Sequence, residues 1–562
     1  MEQWKSRMGI FLKNKFYMLS LGLIALASYG FFVTHPTMGI DDTPYAYYFQ
    51  EGLAAIVGRW CLFLLGKVVH IGEFVPFLPD LAAVLLLMLA AVVWSSLFYS
   101  VLQEQIPLWG YLIFGGLFIS NSLHSEVLTY YLHNGIGIGY LFVGLSLICM
   151  KEGLDRLQSS EKKGMVSNLL PYGGAAVTMT VAMGCYESFM IVWLVGFLLL
   201  LLLERHAGVE RKVFQVLCIG EVVALVGMLL RSLTIEAVIA IFDLGYLRDD
   251  AQLRSISEML SWVVQENGFA YFMMQMKQTI VMYVIFAYAY YPIKIYVLSA
   301  VVLVVLALVR GIRRRDLWIP VLTVGCFVAS FLLVVLECKA TYYRSAQFLP
   351  LVCAFGALLL IYSVLQLKKQ LVARKWQLVL GTWLQRLMIV CFGILLFNQC
   401  SDMNKWFYVD YLKYEDAKTT MNRIAYELAV HYDNTKPVIF TGGYRVPQSI
   451  VENAFVEYGS DEAAKIERAA GLLGEDVIKN FYTAQGIWVA QTPALSVLDW
   501  AATAFGDDRE MANFYEFHGQ QLVPERDRSK YEAAFDYASS SMPHFPEQGY
   551  IQDMGDYIIV NY

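Results

Sequence analysis

The chain reads as a polytopic α-helical membrane protein with a C-terminal α/β domain outside the membrane. Three observations predict this. Hydrophobic residues make up 58% of the 562 residues, with mean hydropathy +0.51. Charged residues reach only 16%, against about 25% in soluble domains. The charge is also divided. From Ser401 onward there are 25 Asp/Glu and 13 Lys/Arg, a net of −12, so the remainder carries +6 of the total −6. We therefore divide the chain into a membrane part, 1–400, and an acidic, cysteine-free part, 401–562. That acidity argues against a nucleic-acid partner.

A spanning helix needs about 20 apolar residues. Candidates run over 14–33, 80–101, 106–120, 135–150, 170–186, 188–203, 214–231, 293–310, 317–337, 346–364 and 380–399, eleven in all. The first follows Lys5, Arg7, Lys13 and Lys15 as a signal peptide would, but no small-x-small cleavage site comes after it, so we read it as a retained helix. The stretch 53–70 is apolar too, yet contains Gly58-Arg59-Trp60, Gly66, Lys67 and His70. It reads as an amphipathic helix lying along the interface. With the N-terminus inside and 53–70 not crossing, 20 of the 29 Lys/Arg of the membrane part fall at inner ends, as the positive-inside rule expects. The outside then receives the loop with Asp41 and Asp42, the segment 120–134, a loop over 231–277 expected to hold surface helices, and the tail.

In the tail, Leu412, Ala417, Met421, Ile424 and Leu428 have helical spacing. Segments 437–443 and 556–562 read as strands. No GxGxxG or GxxxxGK motif occurs. Nine cysteines are scattered without CxxC spacing, and there is no internal repeat.

Chemistry-bearing residues gather at the outer ends. Asp41 and Asp42, just past the first helix, are a site candidate because charge near hydrocarbon is costly. Either can instead cap a helix starting at Thr43-Pro44. Glu187, in Tyr186-Glu-Ser-Phe189, must face a cavity or a partner, or start a helix. Glu126 lies on the same side with His124 and His133, at a spacing that matches no metal motif. Glu337-Cys-Lys-Ala-Thr-Tyr-Tyr-Arg344 places Lys339, Tyr343 and Arg344 at the outer boundary, suited to a lipid phosphate, or simply to interfacial anchoring. Arg59 is a similar outlier, able to bind phosphate or to pair with a loop Asp.

The order Gly39-Ile-Asp-Asp42, Gly58-Arg-Trp60, Tyr186-Glu-Ser-Phe189, and a tail from Tyr408 through Lys436-Pro-Val-Ile-Phe-Thr-Gly442 resembles the C-type (GT-C) glycosyltransferases. Within them it is most similar to the Gtr-type glucosyltransferases. Where that family would show Tyr-Gln, this chain has Tyr186-Glu187. The resemblance implies a multi-pass cell-membrane enzyme with its site and tail extracytoplasmic. It implies inverting transfer of a sugar, glucose by analogy, from a polyprenyl-phosphate donor to a surface glycan. Asp41 or Asp42 would be the base and Glu187 a further catalytic acid. Arg344, Lys339 and Arg59 would hold the phosphate, and Tyr343, Glu126 and Tyr186 the substrate. No cofactor or metal is needed on that reading; membrane lipids are the other partner. A transporter or flippase of lipid-linked glycans would instead want repeats and broken helices at mid-membrane. A polymerase using a diphosphate carrier would want more outer-loop arginines.

Overall fold

The computed structural model describes residues 2–37, 52–69, 75–128, 134–158, 164–247, 260–281, 294–338, 345–370, 375–442, 514–525 and 527–562. The chain is a polytopic helical membrane protein. Among the described residues, eight helices are long and apolar enough to cross a membrane.

The elements follow the apolar runs. A short α1 (Glu2–Leu12) leads into α2 (Lys15–Thr34), capped by Asn14, whose side chain accepts from the Tyr17 amide. Then come α3 (Leu53–Ile56), α4 (Trp60–Val69), α5 (Leu78–Leu102), α6 (Leu108–Ile119), α7 (Leu123–Leu128), α8 (Asn134–Gln158), α9 (Met165–Cys185), α10 (Phe189–Ala207) and α11 (Val213–Ile241). After them lie α12 (Gly268–Val281), α13 (Lys294–Arg314), α14 (Trp318–Ser330), α15 (Leu332–Glu337), α16 (Phe348–Gln370) and α17 (Lys375–His431).

Four differences from the sequence reading have physical reasons. The interfacial segment is two short helices, α3 and α4, because Gly58 turns the chain at φ +89°. The run 214–231 continues as helix to Ile241, so Arg231 lies inside α11 rather than opening a loop. The run 317–337 breaks at Phe331 into α14 and α15. Finally, α17 extends unbroken for 57 residues, about 85 Å. Nothing interrupts it because no Gly or Pro occurs between Gly393 and Pro437.

The helices share one core, in which Trp94, Trp193, Tyr111 and Tyr140 are fully buried. Their ends sort consistently. Ends that the charge bias assigns to the inside touch one another: Trp4 bonds Glu152, Lys151 meets Glu204, and Gln366 bonds Gln105. Ends assigned to the outside do likewise: Tyr140 donates to the Gln347 carbonyl and Trp262 to that of Val335.

Past the bundle, the distal part of α17 packs on a sheet whose four described strands run in the order β2-β1-β4-β3. The strands are β1 (Pro437–Thr441), β2 (Val523–Pro524), β3 (Ile551–Asp553) and β4 (Ile558–Asn561). β1 pairs in parallel with β2 and β4, and β3 antiparallel with β4. A helix, α18 (Arg528–Ser541), covers the face carrying Ile439 and Ile559.

Candidate active site

Three strongly charged side chains converge where α3 and α4 lie across the ends of α9, α10 and α11. The apolar floor beneath them explains why they meet. Ile56, Trp60, Leu62 and Phe63 of the two short helices pack on Cys185 at the end of α9 and on Ile235, Val238 and Ile239 of α11. Burial of this size is the dominant force holding the short helices in place. Gly184 permits the closest approach, since a Cβ there would collide with the Trp60 indole. Cys61 and Cys185 are both buried in the same seam.

Arg59 sits at the elbow between the short helices. Its Nε lies 3.7 Å from Glu187 Oε2, and its guanidinium carbon 4.5 Å from the centroid of the Tyr186 ring. Tyr186 terminates α9 in an extended conformation, and Ser188 opens α10. The two-residue connection Tyr186-Glu187 therefore points both an aromatic face and a carboxylate at one guanidinium. Glu187 is 43% exposed at its side chain and Arg59 18%, so the pair borders an opening.

Arg231 comes from the facing helix. Its half-buried guanidinium reaches the Met183 and Gly58 carbonyls, both at 3.4 Å. Gly58 is required here twice over. Its φ is positive, and a Cβ would run into Arg231 Nη2. Glu187 attracts Arg231 and Arg59 repels it. Contacts of 3.4 Å are at the long limit for such bonds, so Arg231 keeps donor capacity. The Trp60 indole N–H, Ser188 Oγ and Glu187 Oε2 are buried with no hydrogen bond among the described residues. Buried polar atoms are otherwise almost always satisfied. Two arginine forks and spare donors beside one carboxylate can grip an anion such as a phosphate.

Of the residues singled out from sequence, the structure brings together Arg59, Tyr186 and Glu187. Glu126 falls on α7, and its neighbour His124 is buried with Nε2 on the Phe118 carbonyl at 2.9 Å. Asp41, Asp42, Lys339, Tyr343 and Arg344 lie outside the described residues. Arg231 was missed by sequence reasoning. Its signal was an arginine in the apolar run Leu229-Leu-Arg-Ser-Leu-Thr-Ile235.

No curated protein matches the chain, and no solved structure does. A sequence model of one family, described as glucosyl transferase GtrII, matches residues 30–361, well over half of the 562. That match contains Arg59, Tyr186, Glu187 and Arg231. The chain belongs to the glucosyl transferase GtrII family and is a glycosyltransferase.

Proposed function

We propose that this glycosyltransferase moves a glucosyl residue from a polyprenyl-phosphate carrier to a glycan hydroxyl at the outer face of the cell membrane, with inversion at the anomeric carbon. The observation that carries the reading is the convergence of Arg59, Arg231 and Glu187 under two short helices. A donor held in the bilayer by its lipid brings its phosphate to the level where such helices lie.

The chemistry assigns each group a task. The acceptor oxygen attacks the anomeric carbon as the bond to the phosphate oxygen breaks, and the electron pair leaves on the lipid phosphate. Arg59 and Arg231 stabilise that developing charge. Asp42 or Asp41, entering from residues 38–51 just before α3, takes the acceptor proton. Glu187 holds Arg59 in place through the 3.7 Å pair and offsets part of the positive charge of the two arginines. Lys339 and Arg344 are assigned to the donor phosphate with Arg59, Tyr343 and Glu126 to the sugar, and the tail to the acceptor. The site and the tail unit formed by 401–562 then lie on the extracytoplasmic side, opposite the end where Lys and Arg concentrate.

The test is glucosyl transfer in membranes supplied with polyprenyl-phosphate [14C]glucose and an endogenous glycan acceptor. Wild-type protein should transfer label and Asp42→Asn, expressed at the same level, should not. Should Asp42→Asn and Asp41→Asn both retain full rate, the base assignment fails. Label moving only from a diphosphate-linked donor would overturn the donor class.

A further inference from the structure

A second cluster of unsatisfied donors lies at the other end of the bundle. The 19 residues of α10 separate the two by about 28 Å. There α10 ends at Arg205-His206-Ala207, with Gly208 at φ +91° closing the helix. Its last carbonyls are met by α13: Arg314 Nη1 donates to the Arg205 carbonyl at 3.1 Å and Arg310 Nη2 to that of His206 at 2.8 Å. Cations at a helix C-terminus are ordinary. Capping accounts for one nitrogen of Arg310 and for none of Arg313.

Between α13, α16 and the end of α10 opens a cavity of about 80 Å³, lined by His206, Arg310, Arg313 and Tyr362, with Leu306 and Val309 on its apolar side. About 15 Å³ of such volume holds one water, so the space fits the five heavy atoms of a phosphate group. His206 is 2% exposed, and its Nε2 has no hydrogen bond; Arg310 Nε is buried and has none either. Among the described residues no carboxylate lines the cavity. The nearest acids in sequence are engaged elsewhere: Glu204 by Lys151 at 3.2 Å and Arg211 at 2.6 Å, and Asp316 by Arg205 at 3.4 Å and the Trp318 amide at 3.0 Å. Two arginines, an imidazole nitrogen and a tyrosine thus line a space to which the described residues bring no compensating negative charge.

We propose that this cavity binds a phosphate group, supplied by the headgroup of an anionic phospholipid or by inorganic phosphate. The bound group ties α13 to α10 and α16. Basic recesses between membrane helices suit such headgroups. Leu306 and Val309 continue the wall along the direction an acyl chain would take. The inference is independent of the transfer chemistry at the other end.

The full-length protein in detergent decides it. Retention of added lipid is read by native mass spectrometry, and thermal stability is read in parallel. The probes are dioleoyl-phosphatidylglycerol, dioleoyl-phosphatidylcholine, and inorganic phosphate against chloride at equal ionic strength. Phosphatidylglycerol should be retained over phosphatidylcholine and should raise Tm by about 3 °C near saturation. Inorganic phosphate giving the full shift alone assigns the site to the free ion. Arg313→Gln, at an exposed position that caps nothing, should weaken the effective probe about fivefold. Arg310→Gln should weaken it further. Wild-type and Arg313→Gln proteins responding alike to every probe would overturn the site, whether or not Arg310→Gln folds.

Discussion

The bundle carries an ionic group at each end, and the two are built to opposite standards. At the basic end, Lys151 and Arg211 enclose Glu204 and Asp155. Lys151 Nζ lies 2.9 Å from Asp155 and 3.2 Å from Glu204, and Arg211 Nε lies 2.6 Å from Glu204. Arg211 Nη1 adds Gln158 at 3.1 Å. Glu204, Lys151 and Arg211 are all buried. At the other end, Arg59 and Glu187 stand 3.7 Å apart and Arg231 makes only 3.4 Å contacts. The difference separates structure from function. A buried charge is tolerable when its hydrogen-bonding capacity is filled by the protein. The first group meets that condition alone. The second holds Arg231 only by contacts at the long limit and leaves it donor capacity for something that arrives.

The largest effect should come from breaking the filled group. Glu204→Ala leaves Arg211 and Lys151 buried with only Asp155 between them. We expect a loss of about 3–5 kcal/mol, read as a fall in Tm and in folded yield. The protein that does fold should keep its donor KM. A selective rise in donor KM with unchanged Tm would erase the contrast between the two ends.

Arg231→Gln makes the reciprocal case. It removes a fork held by two long contacts, so Tm should shift little. If Arg231 meets charge that develops on the leaving phosphate, kcat/KM for the polyprenyl-phosphate sugar should fall about 10²- to 10³-fold. Glu187→Gln comes next. The neutral amide still fills the space, and the folded state loses one weak pair, worth less than about 1 kcal/mol because the carboxylate is partly exposed. Transfer should drop about tenfold as Arg59 loses its orienting partner. A Tm loss comparable to that of Glu204→Ala would mean that Glu187 is structural.

Most of the bundle was legible because apolar run length alone dictates a helix in a membrane chain. The inner clustering was legible from Lys and Arg counts. Pairings were not. Glu204 sits in the run Leu199-Leu-Leu-Leu-Leu-Glu204, and nothing local says that Arg211 folds back on it from seven residues away. Arg59 was expected either at a phosphate or on a loop Asp; among the described residues Glu187 also lies beside it, 128 residues on, a contact only tertiary packing creates. Arg231 is an anomaly within its apolar run, yet charge at the end of a run reads equally as a loop boundary, and only the packed helix places it inside α11. The continuity of α17 was readable as well, from the absence of helix breakers before Pro437.

The smallest effect tests whether the loose end is organised at all. Tyr186 presents its ring 4.5 Å from the Arg59 guanidinium, a contact worth about 0.5–2 kcal/mol by its ring electrons rather than its hydroxyl. Tyr186→Phe keeps that face and should leave donor KM within a factor of two of wild type. Tyr186→Leu keeps apolar bulk but removes the face, so Arg59 gains freedom and donor KM should rise about three- to fivefold. If the ring merely fills space, the two variants behave alike, and the ring does not orient Arg59. If Phe rescues what Leu loses, the site is preorganised by its aromatic wall. The slack around Arg231 then marks the place kept for the substrate, not a fault in packing.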